Sequence, residues 1–472
     1  MDLKNKEDFK KYILSPLLNK IKEEFLYKKI DFEKFYRFEI EIKNPQDVPD
    51  PLYWLSCQNE QIKIYWSNRD KSFCCSGIGV ADMFADGPVN DGSNNYFIKN
   101  IFDLIKLRIS NADDNIRYYG CIAFDENDKV DSSWNSFGKI YFFVPKVELY
   151  KIKGRTFLAC NIFYNSDDSK SKKEIYEELQ IFFENIQPFV KSKQIRNIKF
   201  INRKDNPEKD LWERNIKQVI SIFDFEKIKK IVLSRKSVFE LQENIDPVLL
   251  LALLKKLNIE TYDFCFQNKN NNGFTGCTPE LLYSRTDNKI FSEAVAGTIL
   301  KGKNPEEEKK LGQNLLKSKK DSNEYKFVFD SIKNDLRKIC TEVKVLKEKE
   351  ILKLSYAQHI YSQFEGSLKP DIDDYEIISV IHPTPAVSGY PKKNIKSLIK
   401  RYETYFRGFY AGPVGWIGKN SSEFVVGIRS ALINKRIISI FSGAGIVKKS
   451  SYDAEWNEIE NKISPFLKIL KK

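Results

Sequence analysis

The hydrophobic residues of this 472-residue chain follow two different periods. In the first forty residues they recur every three or four positions, which predicts a helix. The residues at this spacing are Ile13, Leu17, Leu18, Ile21 and Phe25. From about residue 60 onward, stretches such as 139–152 and 155–164 alternate or run apolar with β-branched and aromatic residues, as strands do. This part of the chain is therefore predicted to combine one helix with several strands.

The second part of the chain, from about residue 205, shows the same mixture. Apolar residues on one helical face follow Asn206. Residues 230–241, 422–433 and 436–447 each predict a strand, and residues 453–470 predict a final helix. Runs of strands between helices, without a regular alternation of one strand and one helix, predict a mixed α+β fold.

Composition and charge exclude two classes of protein. Apolar residues make up 42% of the chain and aromatic residues 13%, which is enough for a large packed core and too much for a disordered protein. The net charge is +13, but the excess is mostly lysine, spread along the chain among 65 acidic residues, without an arginine-rich block or a zinc-finger spacing. We therefore expect no nucleic-acid partner.

The cysteines and the apolar segments predict a protein of the cytoplasm. None of the eight cysteines belongs to a C-x-x-C pair or has a histidine at metal-ligand spacing. The first 25 residues lack the apolar core and the small-residue cleavage site of a signal peptide, and no apolar run approaches membrane-spanning length. We expect a soluble, reduced, cytoplasmic protein without a membrane partner.

Two pairs of acidic residues have the same spacing on predicted helices. Asp321 and Glu324 lie three residues apart, and so do Glu455 and Glu458. Acidic residues in a first helical turn stabilise the helix dipole, and Asp321-x-x-Glu324 also fits a capping box. Alternatively, the two helices face each other and their carboxylates hold one Mg²⁺ ion, which prefers oxygen ligands. The spacing alone leaves both interpretations open.

Three other residues have side chains suited to acid–base or anion-binding chemistry. Lys230 begins an apolar strand, where its ammonium either reaches solvent or, desolvated near other cations, has a lowered pKa and acts as a base. Glu280 follows a proline and is either a solvent-facing strand residue or a partly buried proton donor. Arg429 precedes a glycine-rich turn at 443–445, which is either an ordinary turn or, with the arginine, a carboxylate-binding site.

The order of the motifs carries more information than any one of them. From Lys230 to Lys462 the chain contains, in this order, KIVLSR, GCTPELLYSR, EAVAGT, KKDSNEY, HPTPAVSG, YAGPVGW, GIRSA, SGAGIV and EWNEIENK. These motifs closely resemble the chorismate-utilising enzymes, a family that contains isochorismate synthases, salicylate synthases and the large subunits of anthranilate and aminodeoxychorismate synthases. The resemblance is dense over residues 205–472 and looser upstream, through YWSNRD, GIGVADMF and YYGCIAFDEND.

The resemblance implies a role for each matching residue. Lys230 corresponds to the general base that activates the water attacking C2 of chorismate, and Glu280 to the general acid that protonates the departing C4 hydroxyl. An Mg²⁺ ion that orients the substrate is implied at Glu324 and Glu458, with Asp321 and Glu455 beside them. The implied substrate-binding positions are Thr298, His359, Ala386, Tyr410, Arg429, Gly443, Gly445 and Lys462.

The wording of one motif favours one branch of the family. Amine-forming and salicylate-forming relatives generally carry threonine where HPTPAVSG has Ala386, whereas the HPTPA wording resembles the isochorismate synthases. No glutaminase nucleophile elbow is visible, so no glutaminase subunit is expected. We expect an isochorismate synthase, of the menaquinone-pathway type more than the siderophore type. A salicylate synthase or an enzyme similar to anthranilate or aminodeoxychorismate synthase is the alternative.

The resemblance also implies an architecture, a large α+β chorismate-binding domain with stacked antiparallel sheets surrounded by helices. Residues 1–204 are expected to form the N-terminal segment of this α+β unit, and residues 205–472 its chorismate-binding catalytic region. Chorismate is the implied small-molecule partner, and a monomer or a homodimer is expected. Tyr325 departs from the family pattern, in which histidine often follows the metal-binding glutamate.

Overall fold

A computed structural model describes most of the chain, namely residues 5–27, 33–43, 50–85, 96–165, 170–188, 198–257, 260–353 and 357–471. Helices and strands both occur throughout these ranges. The α-helices are α1 (Lys6–Phe9), α2 (Ser15–Ile21), α3 (Pro51–Cys57), α4 (Tyr96–Ile109), α5 (Lys172–Asn185), α6 (Lys209–Ile222), α7 (Pro247–Leu257), α8 (Pro305–Lys317), α9 (Lys319–Ile339), α10 (Asp374–Ile381), α11 (Ile395–Tyr402) and α12 (Tyr452–Ile469). Wider π-type turns at Lys10–Leu14 and Lys22–Leu26 continue α1 and α2.

The strands are more numerous than the helices. They are β1 (Lys34–Glu41), β2 (Lys63–Ser67), β3 (Phe73–Ile78), β4 (Asp82–Ala85), β5 (Arg117–Ile122), β6 (Ile140–Val144), β7 (Val147–Ile152), β8 (Arg155–Tyr164), β9 (Ile198–Asn206), β10 (Lys230–Leu241), β11 (Tyr262–Gln267), β12 (Gly273–Thr278), β13 (Leu281–Thr286), β14 (Lys289–Leu300), β15 (Cys340–Lys353), β16 (Ala357–Leu368), β17 (Gly389–Tyr390), β18 (Pro413–Gly418), β19 (Ser421–Val426), β20 (Ser430–Asn434), β21 (Ile437–Ile446) and β22 (Leu470–Lys471).

The strands form two large sheets. The first has the order β1-β8-β7-β3-β2-β11-β12-β20-β21-β10-β9-β22, and β17 pairs with β10 beside it. The second has the order β15-β16-β14-β13-β19-β18-β5-β6-β4. Among the described residues, only the short pair of β22 and β9 is parallel.

Residues of the first sheet alternate between two hydrophobic cores. In β2, Ile64 and Trp66 belong to the core between the sheets, while Tyr65 belongs to a second core on the outer side of the first sheet. In β20, Leu432 belongs to the inner core and Ile433 to the outer core. Successive side chains of a strand point to opposite faces, and both faces are buried here. The strands therefore read as nearly continuous apolar runs rather than as polar and apolar alternation.

Helices cover the outer faces of the sheets. Residues of α1, α2, α3, α5 and α7 contribute to the outer core of the first sheet. α8 and α9 pack against β14 and β16 of the second sheet, and α12 packs against β21 and α6. The predicted α+β class, with stacked antiparallel sheets surrounded by helices, is confirmed. None of the described helices combines the length and the apolar character needed to cross a membrane.

Strands from the N-terminal segment extend both sheets. β2 pairs with β11 in the first sheet, and β5 pairs with β18 in the second. β9 contains both residue 204 and residue 205, so the predicted division of the chain falls within a strand. The division itself stays a prediction about function rather than about folding units.

The prediction of a helix through the first forty residues is wrong from Lys34 onward, where the chain forms a strand. Residues 28–32 lie outside the described residues, and β1 follows at Lys34–Glu41. All eight residues of β1 pair with residues of β8. Hydrogen bonding to a distant strand thus determines the structure of a segment whose local pattern was ambiguous, as is common for strands.

The prediction of one continuous strand over 422–433 is also wrong. β19 ends at Val426 and belongs to the second sheet, whereas β20 begins at Ser430 and belongs to the first. A Cβ atom at Gly427 would lie 2.5 Å from the carbonyl oxygen of Phe409, and Arg429 has a φ of 51°. A positive φ is incompatible with a strand, so the chain turns here and changes sheets.

Candidate active site

The candidate site lies where the chain crosses between the two sheets. Glu280 lies on the connection from β12 in the first sheet to β13 in the second, and Arg429 lies on the connection back, from β19 to β20. The backbone N–H of Val426 donates to the carbonyl oxygen of Glu280 at 3.0 Å, which joins the two connections. An acid and a guanidinium that are far apart in sequence are thereby placed in one site.

Lys230 is the first residue of β10, and its side chain is buried. Its Nζ lies 2.7 Å from Oε1 of Glu324, which belongs to the first turns of α9. Gly445 of the neighbouring strand β21 leaves room for this side chain, because a Cβ atom there would lie 2.7 Å from Cε of Lys230. The amine is therefore held in a space that only a glycine at position 445 leaves open.

Glu280 is buried, and its carboxyl group is poised to exchange a proton near neutral pH. Burial raises its pKa to about 7, opposed by a hydrogen bond from Thr384 and by the charge of Lys230, whereas the Glu293 carboxylate favours the rise. Thr384 Oγ1 donates to Glu280 Oε1 at 3.3 Å. A carboxyl with such a pKa is protonated in a large fraction of molecules at neutral pH, as a general acid must be.

Two cationic side chains face the same region. Lys462 Nζ donates to the carbonyl oxygen of Gly443 at 2.9 Å and lies 2.6 Å from Glu458 Oε1. Arg429 Nη1 donates to the carbonyl oxygen of Lys462 at 2.8 Å. A Cβ atom at Gly443 would lie 3.1 Å from the hydroxyl of Tyr410, whose pKa is raised by burial. The cations, the tyrosine hydroxyl and the glycine backbone together can bind an anionic substrate.

His359 is the buried histidine of the site. Its Nδ1 lies 3.1 Å from the carbonyl oxygen of Gly297 and 3.1 Å from Oγ1 of Thr298. Burial lowers its pKa to about 4, and the charges of Arg429 and Lys462 add to this effect, so the imidazole is neutral at physiological pH. Because a carbonyl oxygen can only accept, Nδ1 carries the proton and Nε2 is an acceptor; Nε2 is buried and has no hydrogen-bond partner among the described residues.

Three glutamates of the predicted metal site lie close to one another and to lysines. Glu324 pairs with Lys230, Glu458 pairs with Lys462, and Glu455 lies 3.5 Å from Lys320. The three glutamates together raise the pKa of Lys320 against the effect of its burial. Burial raises the pKa of Glu455, and the nearby Glu458 carboxylate adds to the rise.

The donor chemistry of this cluster fits a hard divalent cation. All the side-chain donors are carboxylates, and Glu455 Oε2 is buried without a hydrogen-bond partner in the described part of the chain. Asp321 lies beside Gly297: a Cβ atom added at Gly297 would be 3.1 Å from the Cβ of Asp321. Within the described ranges, no three histidine, cysteine, aspartate or glutamate side chains are gathered tightly enough to form a metal cluster, since each carboxylate instead faces a lysine ammonium.

A model of the family described as chorismate binding enzyme matches residues 31–471. The chain belongs to this family. One relative is the chloroplastic isochorismate synthase of Catharanthus roseus, which is 33% identical over 415 residues, covering 87% of this chain and 70% of the relative. Isochorismate synthase MenF of Escherichia coli is 26% identical over 430 residues, covering 90% of this chain and 91% of the relative.

A solved structure shows the same fold. MenF, the menaquinone-specific isochorismate synthase from Escherichia coli, matches with a TM-score of 0.83 at 23% sequence identity, over 97% of this chain and 100% of that chain. The predicted resemblance to the isochorismate synthases among the chorismate-binding enzymes is therefore confirmed. The roles assigned to individual residues stay predictions.

The structure brings most of the predicted site residues of this chorismate-binding enzyme together, but it does not support the capping-box interpretation of Asp321. Thr298 is exposed, and its Oγ1 lies 3.1 Å from Nδ1 of the buried His359. Asp321 does not cap its helix: Ser318 is the N-cap of α9, and its hydroxyl accepts from the backbone N–H of Asp321. Ala386 is partly buried against the inner core, two residues after Thr384. The hydroxyl of Tyr325 lies 2.6 Å from Ser362 Oγ.

Sequence reasoning missed a second buried cluster beside Glu280. Arg69 and Glu293 form an ion pair, and Tyr361 donates to Glu293 at 2.9 Å. Arg69 and Glu293 belong to the motifs YWSNRD and EAVAGT, which marked the family but gave no local reason to single out these two residues. Thr384, which contacts Glu280, was likewise contained in HPTPAVSG without being recognised.

Proposed function

We propose that this chorismate-binding enzyme is an isochorismate synthase. It converts chorismate to isochorismate by adding a water-derived hydroxyl at C2 while the C4 hydroxyl leaves as water, and the two conjugated ring double bonds shift from C1=C2 and C5=C6 to C6=C1 and C4=C5. Atoms balance because one water enters and one leaves. The observation that carries the proposal is the placement of a protonatable carboxyl, Glu280, in one buried site with the amine of Lys230 and the cations Arg429 and Lys462, in a chain that matches isochorismate synthases along most of its length.

Glu280 supplies the proton that the C4 hydroxyl needs in order to leave. Hydroxide is a poor leaving group, and a positioned acid accelerates such a step by about 10²–10⁴-fold. Burial keeps Glu280 protonated up to a pH of about 7, so that it can act under physiological conditions. Thr384 holds one carboxyl oxygen, which leaves the other oxygen to face the substrate.

Lys230 accepts the proton of the water that attacks C2. An amine acts as a base only in its neutral form, so the ion pair with Glu324 must be released when substrate is bound. The positive charges of Arg429 and Lys462 hold the two carboxylates of chorismate. Tyr410 and the backbone at Gly443 and Gly445 complete the substrate-binding surface.

Glu324 and Glu458 would hold Mg²⁺, with Glu455 and Asp321 beside them. When bound, the ion neutralises a substrate carboxylate and fixes its orientation. Glu324 would then be shared between the ion and Lys230, whose Nζ donates to its Oε1 at 2.7 Å. The carboxylate donors and the unpartnered Oε2 of Glu455 support this assignment.

Product analysis tests the proposal. Purified protein is incubated with chorismate and Mg²⁺, with and without EDTA, and the products are separated by chromatography. Isochorismate that forms only without EDTA, with neither pyruvate nor added ammonia, is the expected result. Salicylate with pyruvate, or an ammonia-dependent amine product, would instead assign the chain to the alternative branches and refute the interpretation of Ala386.

We further propose that the enzyme supplies the menaquinone pathway more than a siderophore or salicylate pathway, in the cytoplasm, as a monomer or homodimer without a glutaminase subunit. All eight cysteines are free thiols, which supports a reducing compartment. The Escherichia coli MenF whose fold this chain shares is menaquinone-specific, which supports the pathway. Menaquinone content of a deletion strain, cell fractionation and sedimentation analysis test these points.

A further inference from the structure

Arg69, in the turn between β2 and β3, reaches from the N-terminal segment to the connection that carries the proposed acid. Its Nη1 and Nη2 donate to the two carboxylate oxygens of Glu293 in β14, at 3.0 and 2.6 Å. Nη2 also donates to the carbonyl oxygen of Pro279, the residue directly before Glu280. The guanidinium is stacked over the Tyr262 ring, 5.1 Å from its centroid. One side chain thus joins both sheets to the Pro279–Glu280 segment.

Glu293 is held as firmly as its partner. It is 5% exposed, and Tyr361 donates its hydroxyl to Oε1 at 2.9 Å. A buried carboxylate is tolerated when it has a cationic partner and hydrogen bonds, and Glu293 has both. Arg69 is therefore the cationic partner that compensates the Glu293 charge, and Tyr361 adds a hydrogen bond to it.

We propose that Arg69 is a positioning residue for the proton donor of this enzyme. Through its contact with the Pro279 carbonyl it orients the Glu280 side chain, and through its ion pair with Glu293 it limits the negative charge beside that side chain. The inference rests on the proposed function, because it concerns the group that protonates the departing hydroxyl. It gives the N-terminal segment a part in positioning the proton donor, although Arg69 itself touches no reacting atom.

The charges around Glu280 predict in which direction each substitution should shift its titration. Lys230 from β10 and Lys462 from α12 favour its ionised form, while Glu293 from β14 favours its protonated form. Tyr410 faces it as a neutral hydroxyl whose own pKa is raised by burial. Loss of the Arg69 charge leaves Glu293 uncompensated and strengthens its effect, whereas loss of the Glu293 charge removes it. The two substitutions should therefore move the titration of Glu280 in opposite directions.

The experiment compares the pH profiles of kcat/KM for wild type, Arg69→Gln and Glu293→Gln, since kcat/KM reports the ionisations of the free enzyme. The alkaline limb is expected to move up by about half a pH unit or more in Arg69→Gln and down by a similar amount in Glu293→Gln. Because a misplaced acid slows the chemical step, kcat should fall about tenfold in Arg69→Gln, with KM for chorismate changed by less than about threefold.

Arg37→Gln is the matched control. Arg37 also belongs to the N-terminal segment and forms a buried ion pair, with Glu148 at 2.9 Å, but it makes no contact with the Pro279–Glu280 segment. This variant should lose thermal stability without any shift of the alkaline limb. Tyr361→Phe, which removes one hydrogen bond to Glu293, is a milder variant that serves if Arg69→Gln does not fold; its limb should move up, as in Arg69→Gln.

The proposal would be overturned if the alkaline limb of kcat/KM stayed unchanged both in Glu293→Gln and in whichever of Arg69→Gln and Tyr361→Phe folds, and only the melting temperature fell. Arg69 would then have a structural role only. The proposal would also be overturned if the alkaline limbs of Arg69→Gln (or Tyr361→Phe) and Glu293→Gln moved in the same direction. Failure of the proposed function is separate, because wild-type protein would then form no isochorismate at any pH.

Discussion

Replacing Glu280 with glutamine should strongly lower activity and at the same time stabilise the fold at alkaline pH. The side chain is 6% exposed, and burial raises its pKa from 4.5 to about 7. This difference is about 2.5 pH units, and at roughly 1.4 kcal/mol per pH unit it corresponds to about 3 kcal/mol of folding free energy. Glutamine has nearly the same shape and does not ionise, so it avoids this cost.

The sign of the effect follows from the raised pKa. The contribution of Glu280 to stability is fully present below the unfolded-state pKa of 4.5, decreases as the pH rises, and is lost once the pH has passed the folded-state pKa of about 7. In urea denaturation, the stability advantage of Glu280→Gln over wild type should therefore be about 2–3 kcal/mol larger near pH 8.5 than near pH 5. Isochorismate formation should fall by about 10²-fold or more.

Glu423 provides a matched control. Burial raises the pKa of Glu423 to about 7 as well, and Trp66 Nε1 donates to its Oε1 at 3.3 Å. Glu423 is not one of the proposed catalytic residues. Glu423→Gln should gain the same alkaline stability and keep most of its activity. The prediction is refuted if the free energy of unfolding depends on pH in the same way for wild type and Glu280→Gln but differently for Glu423→Gln. In that case the pKa of Glu280 is not raised in the folded protein. A fully active Glu280→Gln would exclude it as the acid.

Three further substitutions test the other parts of the site. Gly445→Ala should displace Lys230, because the added methyl would lie 2.7 Å from its Cε. We expect kcat to fall about tenfold or more while the circular dichroism spectrum stays unchanged. A wild-type kcat would show that Lys230 does not need the space beside Gly445. Glu324→Gln should weaken Mg²⁺ binding about tenfold or more in isothermal titration without chorismate, and equal binding would remove Glu324 from the metal site. Arg429→Lys loses the planar fork that matches a carboxylate, so steady-state kinetics should show KM for chorismate raised about tenfold, whereas an unchanged KM would contradict substrate binding by this residue.

The motif series in the second part of the chain was sufficient to predict the family and, through the family, the α+β class with stacked antiparallel sheets. The roles that the resemblance implies for individual site residues stay predictions. Each motif is a short local stretch, so it can be recognised without knowledge of the fold. Boundaries were predicted less well. The segment at Lys34–Glu41 and the break at Gly427 both depend on partners far away in sequence, β8 for the first and the Phe409 carbonyl for the second. A local hydrophobic period contains no information about such partners.

By itself, the sequence determined which side chains are available, namely the amine, the carboxyls, the guanidinium and the glycines, and in what order they occur. Only the tertiary structure decided how each one behaves. Burial in the folded chain raises the pKa of Glu280 to about 7, and Arg69 contacts Glu293 across 224 positions of sequence. The pKa of a group depends on desolvation and on charges a few ångströms away, and both are set by long-range packing rather than by neighbours in the chain.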